Sequence, residues 1–258
     1  MTFLLNLFIF FFFQNAHAFS LNNSSNLVFP HDEVKVNVAN ITCSNIGIDV
    51  YELKSIVADA VDQFWNKSPT SRLKLRAGNV VSTAAAYGTD LICNASTHCE
   101  PNPTLAVSSD VLITCNSNAS NFSSSSVLAI TVPNNISGNK IIGSLIMIND
   151  QASTMFGNYS RSEKVSIIAH ELGHAFGLAH SPVVDSLMFY RTVNLRNRLG
   201  SDDIDGISYL YPKRQPVTCG SINTQQNTTP WSGLIIGFFL VLLISKLQSL
   251  YLKLRLRF

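Results

Sequence analysis

The sequence predicts an α+β fold, in which helices pack against one sheet. Three observations predict it. Five short segments have the alternating or continuous apolar pattern of strands, residues 49–66 carry apolar side chains at helical spacing, and a second helical segment, starting near Ser160, contains two histidines four residues apart.

The strand-like segments are 34–38, 73–76, 111–115, 127–132 and 141–148. Between the last two, Pro133, Asn134, Asn135 and Gly138 predict the turn that joins them. The run 116–126 is rich in serine and asparagine and predicts a loop.

Three helices are predicted. The first covers 49–66. The second begins with Ser160, because Glu163 three residues later completes the pattern of a capping box. The third is predicted to be capped by Ser201, with Asp202 and Asp203 at its positively polarised start.

The second helix carries a histidine motif, H-E-x-x-H-x-x-G-x-x-H, over residues 170–180. Residues four apart lie on one helix face, so His170 and His174 can hold one metal ion together. Gly177 permits a left-handed turn that ends the helix. His180 then arrives from outside the helix as a third ligand.

Three neutral nitrogens and one free position are typical of catalytic zinc, whereas structural zinc sites are closed by four protein ligands. Glu171 is too near His170 in sequence to share its coordination sphere and is placed to act on a water at the metal. Two helical histidines alone could be merely packed or solvated; Gly177 and His180 favour the zinc site.

With these residues the chain resembles a metzincin zinc endopeptidase, and within that clan a matrixin (peptidase family M10). Further similar segments are 186–190 with Met188, 201–211 and, more weakly, 127–133. The resemblance implies a catalytic domain over 34–211. It also implies a twisted, mixed five-stranded sheet, mostly parallel with an antiparallel edge strand, and a small C-terminal subdomain after Gly177.

The resemblance also implies roles for single residues. Glu171 would be the general base, and Met188 would form an apolar floor under the histidines without binding zinc. Leu128 and Ala129 would contact the backbone of an extended substrate. Tyr190 stands where matrixins usually have proline and other metzincins have a tyrosine. It is either a fifth ligand or oxyanion donor, or part of the pocket wall.

Two features depart from the family pattern. Ile130 stands at or beside the position where matrixins often have a histidine for a second zinc, so one catalytic zinc is expected. The pro-segment cysteine motif is absent, and residues 19–33 are expected to be a short, flexible lead-in, so latency through a cysteine thiolate is not expected. No carboxylate loop typical of calcium sites is visible, and calcium stays open.

Both ends of the chain are apolar. Residues 1–18 end in Ala-x-Ala and predict a signal peptide, with an uncleaved anchor as the alternative. Residues 212–230 resemble a stalk, 231–252 predict a transmembrane segment, and 253–258 form a basic tail. A cleaved sorting tail is the alternative. The chain is therefore expected outside the cytoplasm, anchored by its C-terminal segment.

Composition indicates which classes of partner to expect and whether the cysteines can be oxidised. A net charge of +2 gives no reason to expect nucleic-acid binding. The five cysteines, at positions 43, 93, 99, 115 and 219, are expected to be oxidisable, with pairing left open, although Cys93 and Cys99 could close a small loop. N-x-S/T tripeptides occur at Asn22, Asn23, Asn40, Asn66, Asn94, Asn118, Asn121, Asn135, Asn158 and Asn227; they are glycan acceptors or chance products of an Asn- and Ser-rich chain.

The predicted function is hydrolysis of extended extracytoplasmic polypeptides by a zinc-dependent endopeptidase. Two alternatives stay open: a surface binding protein built on an enzyme fold, and a different zinc hydrolase such as an amidase. The sequence does not indicate the oligomeric state or the substrate preference.

Overall fold

Five strands form one mixed sheet in the computed structural model, which describes residues 19–22, 26–93, 101–191 and 196–213. The strand order is β2-β1-β3-β5-β4. The strands are β1 Glu33–Ala39, β2 Lys74–Val81, β3 Asp110–Asn116, β4 Ala129–Ser137 and β5 Lys140–Asn149. β1 pairs in parallel with β2 and β3, and β3 with β5, whereas β4 runs antiparallel to β5 at the edge. This confirms the predicted mostly parallel sheet with an antiparallel edge strand.

Strand β4 is longer than the sequence predicted, because it continues through Pro133 to Ser137. The predicted connection was wrong for Pro133–Asn135, which belong to the strand and are accommodated by register shifts between Val132 and Ile136; its Gly138 part is confirmed. An edge strand tolerates proline, since one side of its backbone has no strand partner. The reversal follows at Gly138, whose φ of 59° is readily adopted by glycine.

Four α-helices complete the described chain: α1 Val50–Gln63, the short α2 Ala86–Thr89, α3 Arg161–Ala175 and α4 Ser201–Leu210. The predicted capping box is confirmed, with Ser160 as the N-cap of α3 and Glu163 as its partner. The predicted cap of α4 was one residue off: Gly200 is the N-cap, and its N–H donates to the Asp203 carboxylate at 2.7 Å. A carboxylate in the first turn can therefore replace a capping side chain.

The main core lies between the sheet and helices α1 and α3. Trp65, directly after α1, is almost fully buried and donates its indole N–H to the Ala169 carbonyl of α3 at 2.7 Å. Its ring meets Phe176 edge-on at 4.7 Å between centroids. Trp65 therefore fixes the helix that carries the histidine motif.

A second apolar cluster, which includes Leu105, Phe122 and Met147, packs apart from the first.

The sequence predicted a flexible lead-in over 19–33, but the described residues of this segment pack against the rest of the fold. Phe29 is fully buried, and its N–H donates to the Tyr211 hydroxyl at 2.9 Å. Ser20 accepts a backbone hydrogen bond from Ala179 at 2.9 Å. The lead-in contains Leu27 and Phe29, and burying such side chains stabilises the packed arrangement.

One disulfide joins Cys43 to Cys115 and so ties the loop after β1 to the end of β3. Cys93 is disulfide-bonded as well. Cys99 and Cys219 lie outside the described residues, as do the predicted signal peptide, stalk, membrane segment and basic tail. Within 19–22, 26–93, 101–191 and 196–213, no helix has both the length and the apolar character needed to cross a bilayer.

Candidate metal centre

The three histidines of the motif converge on one point. The His170 and His174 Nε2 atoms are 3.1 Å apart, and those of His174 and His180 are 3.2 Å apart. One ligand atom from each side chain lies within 4.8 Å of the others. The first two rings project from successive turns of α3, as their spacing predicts.

Two of these rings are oriented by backbone carbonyls. The Nδ1 atom of His170 lies 2.7 Å from the Leu187 carbonyl, and that of His174 lies 2.8 Å from the Leu178 carbonyl. A carbonyl only accepts, so each Nδ1 carries the proton. The Nε2 lone pairs then face the common point, and this is the arrangement in which imidazoles bind metals.

Electrostatics favour the neutral form of His174 and His180. Burial, and next the nearby His170 ring, hold the pKa of His174 well below its usual value. The same two causes lower the pKa of His180. Neutral imidazoles are the form that binds a metal. Three nitrogen donors, with no fourth ligand side chain in this cluster among the described residues, fit catalytic zinc better than calcium, which prefers oxygen ligands.

Gly177 brings His180 to the other two histidines. Its φ is 115°, and a Cβ placed there would lie 2.6 Å from the Leu27 carbonyl oxygen. Its N–H donates to the His174 carbonyl at 3.1 Å, and the next N–H donates to Gly173 at 3.0 Å, which ends the helix. The predicted left-handed turn is therefore present, and the packed lead-in lies against it.

Glu171 is buried beside the histidines, with its carboxylate turned toward β4. The Thr131 hydroxyl donates to Oε2 across 2.6 Å. Burial raises the pKa of Glu171, while the His170 ring and the Thr131 hydroxyl act in the opposite direction. The sequence analysis missed Thr131. The only available signal was a polar residue in an otherwise apolar strand predicted to line the cleft.

Met188 lies against α3 and is almost fully buried. Its role as an apolar floor under the histidines stays a prediction. A Cβ on Gly173 would be 2.3 Å from the Met188 sulfur and 2.8 Å from the Trp65 ring. The glycine therefore allows the methionine to approach the helix backbone between the two histidine turns. The Ser181 N–H donates to the Met188 carbonyl at 2.7 Å, which links this segment to the chain beside His180.

A buried carboxylate holds the methionine segment in place. Asp203 accepts hydrogen bonds from the backbone N–H groups of Leu187 at 2.6 Å and Met188 at 3.1 Å, and from the Ser186 hydroxyl at 2.5 Å. The Leu187 carbonyl in turn accepts from His170. The sequence analysis assigned Asp203 only to the helix dipole, because nothing local indicated a contact across 16 residues of chain.

Two hollows flank the histidines along β4. One, of about 290 Å³, is lined in part by Leu128, Ala129, His180, Leu187 and Tyr190. The other, of about 750 Å³, follows Ile130, Thr131 and Val132. Glu171 and His180 border both hollows. The structure therefore brings the predicted cleft residues to the same groove as the histidines.

Tyr190 is about half exposed, and the Arg191 guanidinium lies 5.1 Å from the centre of its ring. Its place in the wall of the smaller hollow fits either of the roles predicted for it. His31, an exposed side chain outside this site, lies 2.9 Å from the Asp110 carboxylate. Among the described residues, His170, His174 and His180 form the single cluster of three histidine, cysteine, aspartate or glutamate side chains that could hold a metal.

Comparison with known proteins agrees with this geometry. The sequence profile of the matrixin peptidases matches residues 15–212. The chain belongs to the matrixin family. Membership in this metallopeptidase family fits the α+β fold and the histidine centre described above. It confirms the resemblance noted in the sequence.

Individual relatives match over shorter stretches. The chain is 47% identical over 49 residues to metalloendoproteinase 2-MMP of Arabidopsis thaliana, covering 18% of this chain and 13% of the relative. It is 40% identical over 62 residues to interstitial collagenase of Sus scrofa, covering 23% and 13%. It is 39% identical over 79 residues to matrix metalloproteinase-19 of Mus musculus, covering 30% and 15%. These matches span less than a sixth of each relative's length.

Proposed function

We propose that the chain is a zinc-dependent endopeptidase that hydrolyses peptide bonds in extended polypeptides. The observation that carries this proposal is the meeting of three Nε2 atoms, within 4.8 Å of one another, beside the buried Glu171 carboxylate. His170, His174 and His180 would hold the zinc ion. Family membership supports the same chemistry, and the relatives' names include metalloproteinases.

Zinc, when bound, would acidify a coordinated water from a pKa of about 15.7 toward 7 and polarise the substrate carbonyl. Glu171 would take a proton from the attacking water and pass it to the leaving amine. Burial raises the pKa of this carboxyl, so it holds the transferred proton better than an exposed glutamate would. The Thr131 hydroxyl donates to Oε2 of this carboxylate at 2.6 Å and so holds the carboxylate in place.

The groove favours an extended substrate. Strand β4 pairs only with β5 among the described strands, so its outer backbone edge faces the cleft without a strand partner. A polypeptide can add to such an edge through main-chain hydrogen bonds. Leu128 and Ala129 lie where β4 begins beside the histidines, and we assign them to backbone contacts with substrate.

Tyr190 is proposed to donate a hydrogen bond to the oxyanion or to reach the zinc as a fifth ligand. Its phenol is in the wall of the smaller hollow together with His170, Glu171 and His180. Turnover by Tyr190→Phe tests this role. A loss in kcat supports it, and unchanged kcat and KM would leave Tyr190 as pocket wall alone.

The extracytoplasmic location and the membrane anchor are proposals supported by sequence. Residues 1–18 have the apolar core and Ala-x-Ala end of a signal peptide, and 231–252 with the basic tail 253–258 favour an anchored C-terminus. The disulfide between Cys43 and Cys115 is compatible with an oxidising compartment. We propose one zinc ion and no nucleic-acid partner.

The Glu171→Gln variant is the decisive experiment. We expect it to bind one zinc ion per chain, as the unaltered protein does, and to lose cleavage of a mixed peptide library. The unaltered protein should cleave that library without chelator and not with it. A binding protein would cleave nothing, and an amidase would spare internal peptide bonds. An active, zinc-loaded Glu171→Gln would exclude the proposed mechanism.

A further inference from the structure

The N-x-S/T tripeptides are the one sequence motif that the proposed peptidase does not use. Seven of their asparagines lie in the described part of the chain: Asn22, Asn40, Asn66, Asn118, Asn121, Asn135 and Asn158. An oligosaccharide is joined to the side-chain nitrogen Nδ2, so the surroundings of that atom decide whether the folded chain can carry one. The structure divides the seven into two groups on this basis.

In the first group, Nδ2 already donates to the protein. Four of these asparagines donate to a backbone carbonyl: Asn22 to His174 at 2.8 Å, Asn66 to Leu75 at 2.9 Å, Asn118 to Thr89 at 3.1 Å and Asn135 to Val107 at 2.9 Å.

Asn121 is the extreme member of this group, since it is fully buried. Its Oδ1 accepts from the N–H groups of Ile92 at 2.8 Å and Cys93 at 3.0 Å. Its Nδ2 donates to the Asp90 carbonyl at 3.0 Å and to Asn116 at 2.9 Å. Both N–H groups of this nitrogen are used, so a sugar joined to Nδ2 would remove at least one of these buried hydrogen bonds.

The second group consists of Asn40 and Asn158, both exposed. The Asn40 Oδ1 accepts from the Thr83 N–H at 2.9 Å and from its hydroxyl at 3.2 Å, which orients the planar amide with Nδ2 on the opposite side. No described residue accepts a hydrogen bond from this nitrogen. The Asn158 Nδ2 makes only a weak contact with the Met155 sulfur, at 3.8 Å.

We propose that Asn40 and Asn158 carry N-linked oligosaccharides and that Asn22, Asn66, Asn118, Asn121 and Asn135 do not in the folded protein. In the transfer, a bond forms between Nδ2 and C1 of the sugar, while the bond from C1 to the phosphate of a lipid-linked pyrophosphate donor breaks. The amide loses one proton, and the lipid pyrophosphate leaves. This proposal rests on the extracytoplasmic location proposed above, but not on peptidase activity.

The two sites are also compatible with an open groove. Neither Asn40 nor Asn158 lines the hollows beside the histidines, whereas Asn22 and Asn121 line the larger one. Asn40 follows the end of β1, and Asn158 lies in the turn just before α3. Sugars at these two positions would cover surface away from the cleft, and sugar at Asn22 would stand in it.

The experiment is translation of the full chain in the presence of endoplasmic-reticulum microsomes, followed by external protease, which leaves only translocated chains intact. Enzymatic removal of N-glycans in ¹⁸O water converts each occupied asparagine to labelled aspartate, which peptide mass spectrometry locates. We expect label at Asn40 and Asn158. Asn40→Gln and Asn158→Gln should each lose one glycan on a gel, and Asn158→Gln leaves the Ser160 cap intact.

Ser123→Ala and Ser137→Ala are matched controls, because they remove the acceptor tripeptides of Asn121 and Asn135 at exposed serines. We expect no gel shift from either. A protected chain that lacks label at Asn40 and Asn158, or that shows label at Asn121 or Asn135, overturns the assignment. A chain that is never protected overturns the location as well. Peptide cleavage by bacterially produced protein tests the peptidase separately.

Discussion

At the residue scale, two side chains that bind no metal control the candidate centre. Thr131 holds the Glu171 carboxylate at 2.6 Å from the edge strand. Asp203 holds Leu187, whose carbonyl orients His170. Thr131 acts on Glu171 directly, and Asp203 acts on His170 through Leu187. In both contacts a carboxylate accepts the hydrogen bond, which is stronger than one between neutral groups.

Replacing Thr131 by valine keeps the shape of the side chain and removes the hydroxyl. A hydrogen bond to a charged group contributes about 1.5–3 kcal/mol. We therefore expect Thr131→Val to lower kcat by about tenfold to hundredfold, with KM and zinc content little changed. Thr131→Ser retains the donor and should retain most of the activity. Equal kcat for the valine and serine variants would show that the contact does not position Glu171.

Replacing Asp203 by asparagine puts an NH₂ group where only acceptors fit. Three backbone N–H groups, those of Leu187, Met188 and Gly200, and the Ser186 hydroxyl would compete for one remaining oxygen. We expect the free energy of unfolding of Asp203→Asn to fall by about 3 kcal/mol, as measured by urea titration. Zinc affinity should fall as well, because the ligand orientation is lost.

The control for this variant is Asp205→Asn, on the exposed side of the same helix. It should change stability by about 0.5 kcal/mol or less. If both variants unfold at the same urea concentration, the Asp203 contacts do not stabilise the methionine segment.

At the scale of elements, helix α3 contains a glycine at a position where helix propensity favours every other residue type except proline. Gly173 lies in the last turn of Arg161–Ala175, and the Met188 sulfur occupies the space of a side chain there. Alanine would normally stabilise a helix interior by about 1 kcal/mol relative to glycine. Here close packing against Met188 and Trp65 outweighs that preference.

We therefore expect Gly173→Ala to destabilise the protein by about 1–3 kcal/mol, the usual cost of overpacking a core. It should also displace His170 and His174 and weaken zinc binding. Thermal unfolding followed by circular dichroism, together with zinc titration, provides the test. Ser162→Ala, on the exposed surface of the same helix, is the control and should leave both quantities unchanged. A stabilised Gly173→Ala would contradict the packing argument.

Strand β4 shows a different balance between local sequence and element. Proline and two asparagines predicted a turn at 133–135, yet the strand continues through them. The Asn134 side chain accepts from the Val107 N–H at 3.0 Å and donates to the Leu105 carbonyl at 2.8 Å. Contacts with a neighbouring loop therefore stabilise a strand that local turn preference disfavours.

At the scale of the molecule, the Cys43–Cys115 disulfide closes a loop across a sequence separation of 72 residues. A crosslink of this kind stabilises mainly by restricting the unfolded chain, typically by about 2–4 kcal/mol. We expect the Cys43→Ala/Cys115→Ala double variant to lose about that much free energy of unfolding in urea. Identical urea midpoints for the variant and the oxidised parent would refute this contribution.

The buried Tyr211 hydroxyl joins three distant parts of the chain. It donates to the Phe176 carbonyl at the end of α3 at 3.0 Å and accepts from the Phe29 N–H at 2.9 Å. Burial raises the pKa of this phenol, so the hydroxyl stays protonated and keeps donating near neutral pH. The Tyr211 hydroxyl thereby holds together the lead-in, the C-terminal end of α3 and the end of α4.

The sequence by itself determined the features that depend on neighbours along the chain. The spacing of His170 and His174, the Gly177 turn and the Ser160 capping box each involve residues within a few positions of one another, where helix geometry fixes the distances. The strand-like segments likewise predicted five strands, and the described part of the chain has five.

Only the tertiary structure decided the contacts between residues far apart in sequence. Thr131 meets Glu171 across 40 residues, and the Phe29 N–H meets Tyr211 across 182. Periodicity does not encode such pairs, because they arise from the order of strands in the sheet and the packing of helices upon it. The candidate metal ligands were therefore readable from one segment, whereas the residues that orient them became visible only once the chain was folded.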